Sequence, residues 1–183
     1  MEALETIMSQ LLEEDNFWVQ KSIKVNLTKR EKIKIGKPTT PRPEIDLIAY
    51  NQKANTLYLL EVKSYLDSLG VQIKDLKATN DTQKGRYKLL TSRKYRETVS
   101  KRLSKDLIAK GLINKRTKIS YGLIAGHVYR NQEQELKALI EKKKWLFIGP
   151  SEIKEKIIKL AGKGYENNEI TIATKILLRK YRK

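Results

Sequence analysis

Asp46, Glu61 and Lys63 are the residues of this chain best equipped for chemistry. Asp46 lies in the apolar run PEIDLIAY (43–50), and Glu61-Val62-Lys63 closes the next run, TLYLLEVKS (56–64). NQKAN, a stretch of turn formers, lies between them, so the two runs predict a β-hairpin. A hairpin symmetric about its loop pairs position i with 107 − i, which sets Asp46 opposite Glu61 and Glu44 opposite Lys63. Residues two apart on a strand share a face, so all four charged side chains are expected on one side. Three carboxylates and one ammonium would desolvate and repel one another there. A divalent cation removes that cost. Hard oxygen ligands on a rigid hairpin suit Mg²⁺, with Mn²⁺ as the alternative. The competing reading is an exposed sheet face with ordinary salt bridges, such as Glu44 with Lys63.

Pro43-Glu44-Ile45-Asp46 and Glu61-Val62-Lys63 together resemble the motif of the PD-(D/E)xK nuclease superfamily, the restriction-endonuclease-like fold. The wording EIDLIA…EVKS is similar to that of its small bacterial and archaeal members, including the archaeal Holliday-junction resolvases. Those resolvases carry a metal-site Glu on an N-terminal helix about twelve residues before a Phe that opens the first strand; here Glu5 precedes Phe17 by twelve. The usual motif puts Pro beside the acid, whereas Glu44-Ile45 intervene here. Asp46 is therefore taken as the ligand and Glu44 as an auxiliary acid.

The resemblance spans about residues 1–128 and implies Mg²⁺-dependent hydrolysis of DNA phosphodiesters, in repair, recombination or restriction. On that reading Asp46, Glu61 and the Val62 carbonyl bind the metal. Lys63 orients the attacking water or stabilises the phosphorane, and Glu5 or Glu44 completes the shell. Gln83-x-x-x-Tyr87 resembles the QxxxY element of exonuclease-like relatives, although Gly85 interrupts the helix that element occupies.

Charge supports a polyanionic partner. The 183 residues hold 39 Lys+Arg against 21 Asp+Glu, a formal net charge of +18, far beyond what solubility asks. The segment 84–118 is the densest part, with Glu97 and Asp106 its only acids. Lys84, Arg86, Lys88, Arg93, Lys94, Lys101, Arg102, Lys105, Lys115 and Arg116 are its candidate phosphate contacts, which place a backbone without reading bases. A second cluster, Lys175, Arg179, Lys180, Arg182 and Lys183, lies in the C-terminal stretch. DNA, duplex or branched, is the expected partner. Low aromatic content, 7%, argues against an RNA-stacking platform. A catalytically silent nucleic-acid-binding module of the same fold is the alternative.

The elements needed to hold these residues are legible. Leu4, Ile7, Met8, Leu11 and Leu12 make one apolar helix face, flanked by Glu5. Phe17, Val19, Ile23, Val25 and Leu27 alternate as a strand, with Lys21 the exception. Thr28-Lys29-Arg30-Glu31 reads as a capping box opening a short helix that Gly36 stops. Tyr95, Val99, Leu103 and Leu107 predict a helix over about 92–110, ended by Gly111. Strands follow at 117–129 and 145–150, with a charged helix (132–143) between them and another (151–162) after. A last helix, 169–181, is expected to turn Ile170, Ala173, Ile176 and Leu177 inward.

This order predicts an α/β protein, a three-layer α/β/α sandwich around a mixed sheet. It forms a single domain, 1–183, with a core of about 1–128 and an α/β extension from 129. His127 is read as a packing residue with a hydrogen bond. Without cysteine, and with one histidine, neither a disulfide scaffold nor a Cys/His zinc site can be built. No apolar run approaches the roughly twenty residues of a membrane span, and the acidic N-terminus is unlike a signal peptide, so a cytoplasmic location is expected. Two-strand cleavage by one-site chains favours a homodimer, with ITIATKILL a candidate contact.

Overall fold

Apolar alternation interrupted by turn formers yields the sheet, and helical stripes cover it on both sides. The computed structural model describes residues 3–39, 41–77, 86–164 and 166–178. Helix α1 (Ala3–Glu14) buries Leu4, Met8, Leu11 and Leu12. Strand β1 (Trp18–Lys24) follows. Helix α2 (Lys29–Lys34) opens on the expected capping box: Thr28 Oγ1 accepts the Glu31 N–H, and the Glu31 carboxylate accepts the Thr28 N–H at 2.7 Å.

Strands β2 (Glu44–Asn51) and β3 (Thr56–Lys63) form the hairpin. Helices α3 (Ile73–Lys77) and α4 (Lys88–Thr91) are short. The basic helix α5 (Arg93–Ala109) starts at Ser92, whose Oγ accepts the Tyr95 N–H, and the chain turns away at Gly111, φ 71°. Then come β4 (Lys118–Ala125), α6 (Glu133–Glu141), β5 (Leu146–Ile148), α7 (Pro150–Ala161) and α8 (Glu169–Leu178).

The sheet order among the described residues is β1-β2-β3-β4-β5, the order of the chain itself. The β1–β2 and β2–β3 pairs are antiparallel, and β3, β4 and β5 run parallel, so the sheet is mixed. On one face α1 and α7 pack over Leu47, Ala49, Leu60, Val62, Ile124 and Ile148. On the other, α5 covers Ile48, Leu57 and Leu59, and α6 covers Leu123, Ala125 and Phe147. This is the expected three-layer α/β sandwich. Beyond residue 129, β5 and α7 contribute a strand and core residues to the same sheet and cluster.

Two expectations are corrected. Phe17 and Val19 pack with the α1 layer, while Ile23, Val25 and Leu27 pack with the α5 layer, so the odd positions do not share one face. The cause is Ser22, whose φ of 53° interrupts the strand's extended backbone. In α8, Thr171 and Thr174 are the buried residues, and Ile170 is partly buried. Ala173, Ile176 and Leu177 face solvent instead, because α8 packs on α7 through its threonine face.

Candidate active site

The site forms where the hairpin ladder opens. β2 and β3 pair from Asn51↔Thr56 to Leu47↔Leu60, every pair summing to 107. One residue further along β2 stands Asp46. On its other side β1 pairs Lys21↔Leu47 and Ile23↔Ile45, which sets the strained Ser22 opposite Asp46. Both strands turn over at this point: Leu47 and Ala49 belong to the α1 layer, Ile45 to the α5 layer. The twist draws β2 away from β3. Asp46 bridges the opening, its Oδ2 accepting the Val62 N–H at 2.8 Å. A strand residue directs its N–H and C=O to the same side, so the Val62 carbonyl also faces the β2 side of β3.

Lys63 joins the two acids. Its Nζ lies 2.7 Å from Glu61 Oε1 and 3.3 Å from Asp46 Oδ2. The three side chains are only 15–23% exposed. With both carboxylates ionised, one ammonium leaves an excess of one negative charge in this largely buried cluster. Burial pushes the Glu61 carboxyl up to about 7, the Asp46 charge adds to that, and Lys63 offsets part of it. Burial alone would lower the Lys63 ammonium, but the Glu61 and Asp46 carboxylates outweigh it and hold Lys63 above the usual lysine range.

Phenols line the pair, and the sequence reading missed their role. Tyr95, read there only as part of a helical stripe, is pushed up to about 12 by burial and by the fields of Glu61 and Asp46. Tyr87 is 2% exposed, and its side chain hydrogen-bonds that of Tyr65. Its hydroxyl is raised well above the ordinary range by burial first, then by Tyr65, Asp75 and Glu61. Gln83 and Gly85, the rest of that QxxxY stretch, lie outside the described residues. His127 has the expected bonding role: its Nδ1 stands 3.1 Å from the Tyr65 carbonyl and 3.0 Å from the Ser68 carbonyl. Both are acceptors, so Nδ1 carries the proton.

The remaining candidates divide by location. Glu5 is buried, and its Oε2 accepts the hydroxyl of Ser22, the residue opposite Asp46 on β1, at 3.3 Å. Glu44 does not stand opposite Lys63. The β2–β3 ladder has ended by then, and Glu44 pairs with Lys24 at the exposed end of the β1–β2 ladder. Arg86, Arg93, Lys94, Lys101, Lys105, Lys115 and Arg116 are exposed. Arg93 is bonded to Glu97 at 2.6 Å, and Arg102 is half-buried between Asp106 and Glu31. Lys88 is lowered to about 8 by partial burial and by a hydrogen bond to Lys37. Lys84 lies outside the described residues.

Among the described residues no three His, Asp or Glu side chains gather closely enough to hold a metal ion by themselves. The donors present still fit a hard cation. Asp46 and Glu61 are hard oxygen donors, the Val62 carbonyl lies on the β2 side with Asp46, and the two acids, when both are ionised, exceed the single charge of Lys63. No described helix is long and apolar enough to cross a membrane.

No family model and no curated protein matches the chain. Among solved structures, one described as a crystal structure of a protein of unknown function, AF1548, is similar at a TM-score of 0.42 and 14% identity, covering 98% of this chain and 71% of that one.

Proposed function

We propose that the chain is a Mg²⁺-dependent DNA endonuclease of the PD-(D/E)xK type, acting on duplex or branched DNA. The observation that carries this reading is the convergence of Asp46, Glu61 and Lys63 at the opened end of the hairpin, with net negative charge left over. Asp46, Glu61 and the Val62 carbonyl are the residues to hold the metal. When bound, the metal polarises the phosphate and acidifies a water. The protein's own groups do the rest. Lys63, kept fully protonated by its two carboxylates, presents a positive charge where the phosphoryl oxygens gain negative charge. Val62 N–H fixes one Asp46 oxygen and so orients the other. Tyr95 and Tyr87 wall the acids from bulk water. The exposed lysines of α5 and the Lys115-Arg116 turn bind the backbone of the substrate.

A homodimer with both sites facing one nucleic-acid surface meets the need for two cuts. One observation favours a second reading, a silent nucleic-acid-binding module. Lys63 already bridges both carboxylates, and no third acid joins them among the described residues. Incubating the protein with labelled linear duplex, single-stranded and four-way-junction DNA, in Mg²⁺ and in EDTA, separates the two. Cleavage in Mg²⁺ alone supports the enzyme. Binding without cleavage in either condition supports the module.

A further inference from the structure

The four residues that follow β4 hold the turn that follows Lys63. The Gly126 N–H donates to the Lys63 carbonyl at 2.8 Å. His127 Nδ1–H reaches the Tyr65 and Ser68 carbonyls together, at 3.1 and 3.0 Å. The Val71 N–H donates to the His127 carbonyl and the Tyr129 N–H to the Val71 carbonyl, both at 3.0 Å. The two segments approach so closely that a Cβ at Gly126 would lie 2.7 Å from the Ser64 carbonyl oxygen. One at Gly70 would lie 2.9 Å from the backbone of Val128 and Tyr129.

Inside this clamp Tyr65 adopts φ 48°, a costly conformation for a tyrosine. Such strain persists only where the surroundings enforce it, and His127 is the side chain that grips the Tyr65 carbonyl. The enforced turn has a consequence for the site. Leu57 and Leu59 face the α5 layer, so by alternation Glu61 and Lys63 face it too. Tyr65, two residues beyond Lys63, stays on that side: its ring packs among residues of α3, α4 and α6, and its hydroxyl bonds that of Tyr87.

Tyr87 is buried and lies in the field of Glu61. The bond to Tyr65 raises the Tyr87 hydroxyl further, as a bond does for its donor. Each phenol has one proton, so the Tyr65 proton is left for a different acceptor. Lys63 is already engaged by both Glu61 and Asp46. A neutral donor beside it can meet a phosphoryl oxygen without disturbing the charge balance of the three.

We propose that Tyr65 is a substrate-contacting residue of the site, its hydroxyl donating to a non-bridging oxygen of the phosphate beside Lys63, and that His127 is the positioning residue that sets it there. The inference rests on the nuclease reading for the phosphate, but one of its readouts needs no cleavage.

The first arm of the test places a fluorotyrosine at position 65 and follows its fluorine resonance as duplex DNA is added, with Ca²⁺ replacing Mg²⁺ to hold off cleavage. DNA should shift the resonance in the otherwise wild-type protein. It should do so in His127→Asn as well, because the amide N–H stands where Nδ1–H stood. In His127→Ala the DNA-free resonance should move, and DNA should shift it no further. A DNA-induced shift of full size in His127→Ala overturns the positioning role. An unshifted resonance in protein that anisotropy reports as DNA-bound overturns the Tyr65 contact.

The second arm measures cleavage in Mg²⁺. Tyr65→Phe should lower kcat about a hundredfold at unchanged KM, as the loss of one donor aimed at developing charge does. His127→Ala should lower kcat about tenfold, and His127→Asn should recover most of it. If His127 acts through Tyr65, His127→Ala adds no further loss to Tyr65→Phe. Additive losses overturn the proposal, as does a Tyr65→Phe enzyme with wild-type kcat. So does a His127→Ala variant that melts lower but keeps its kcat, which assigns the clamp to stability alone. A wild type that cleaves no DNA overturns the nuclease reading alone, and the fluorine arm then decides the contact.

Discussion

The Asp46 carboxylate accepts the Val62 N–H at 2.8 Å, taking the place that a backbone carbonyl would fill if the β2–β3 ladder continued. Asp46 is therefore both a structural acceptor and a candidate ligand, and the two roles can be pulled apart. Asp46→Ala orphans a buried N–H and should cost about 1–3 kcal/mol. Asp46→Asn keeps an acceptor and should retain most of that stability, while losing Mg²⁺-dependent cleavage as fully as Ala does. Urea unfolding together with a cleavage assay checks this. Equal stability losses in both variants would show that the charge, not the hydrogen bond, holds the strands.

Glu61 makes stability depend on pH with a definite sign. Its carboxyl is raised from an ordinary value near 4.5 to about 7, so the folded state favours the protonated form. That stabilising preference is complete below pH 4.5 and disappears as pH rises through 7, an effect on the order of 1–3 kcal/mol. The cation-free protein should accordingly melt lower at pH 8 than at pH 5.5 as far as this group is concerned. Glu61→Gln should flatten that difference, and Mg²⁺ or Mn²⁺ should raise the wild-type melting temperature at pH 8 but not that of the variant. Melting curves across pH in EDTA and in metal check it.

Glu61→Ala and Lys63→Ala should each abolish Mg²⁺-dependent cleavage and leave DNA affinity near wild type, because charge and chemistry are carried by different segments. Glu61→Ala should even bind somewhat tighter without metal, having lost a repulsion from phosphate. Fluorescence anisotropy in EDTA beside the cleavage assay reads both. Cleavage undiminished in both variants would place the chemistry elsewhere.

The basic helix carries two kinds of cation. Lys94, Lys101 and Lys105 are exposed, whereas Arg102 is paired with Asp106 at 3.4 Å. Neutralising the three lysines should weaken DNA binding and reduce the slope of log affinity against log salt by about two to three. Arg102→Gln should change that slope little and lower stability instead, since it leaves Asp106 without its partner. A slope unchanged in the triple variant would take α5 out of the interface.

The proposed homodimer has a testable surface in α8, where Ile172, Ile176, Leu177 and Leu178 are all exposed. If these side chains meet their copies, Ile176→Asp/Leu177→Asp should convert a dimeric light-scattering mass to a monomeric one without unfolding the chain. A monomeric wild type that still makes double-strand cuts would remove the dimer.

Much of the site's scaffold was readable because it is local. A four-residue turn, 52–55, closes the hairpin, and the pairs summing to 107 are symmetric about it, while the capping box at Thr28 and the stop at Gly111 depend only on neighbours. What escaped the sequence depends on distant contacts. Nothing in the type of Ser22 announces a φ of 53°, yet that residue divides β1 between two layers and coincides with the turn that moves Glu44 away from Lys63. Tyr95 looked like one more stripe residue, because its nearness to Glu61 and Asp46 arises only once α5 packs across β3. In α8 the apolar residues outnumber the threonines, so periodicity pointed the wrong face inward; the packing against α7 decided otherwise.

Because the sheet order repeats the chain order, the acids meet through the shortest loop closure available to them. A hairpin of this kind closes on a scale of about 1–10 μs, whereas the parallel β3–β4 pairing must wait for more than fifty intervening residues to fold back. Asp46 and Glu61 therefore come within each other's field early in folding, before α5 and β4 arrive to desolvate them. The electrostatic cost of the site falls on the late steps of folding. A cation that occupies it should then act chiefly by slowing unfolding rather than by speeding the formation of the native chain.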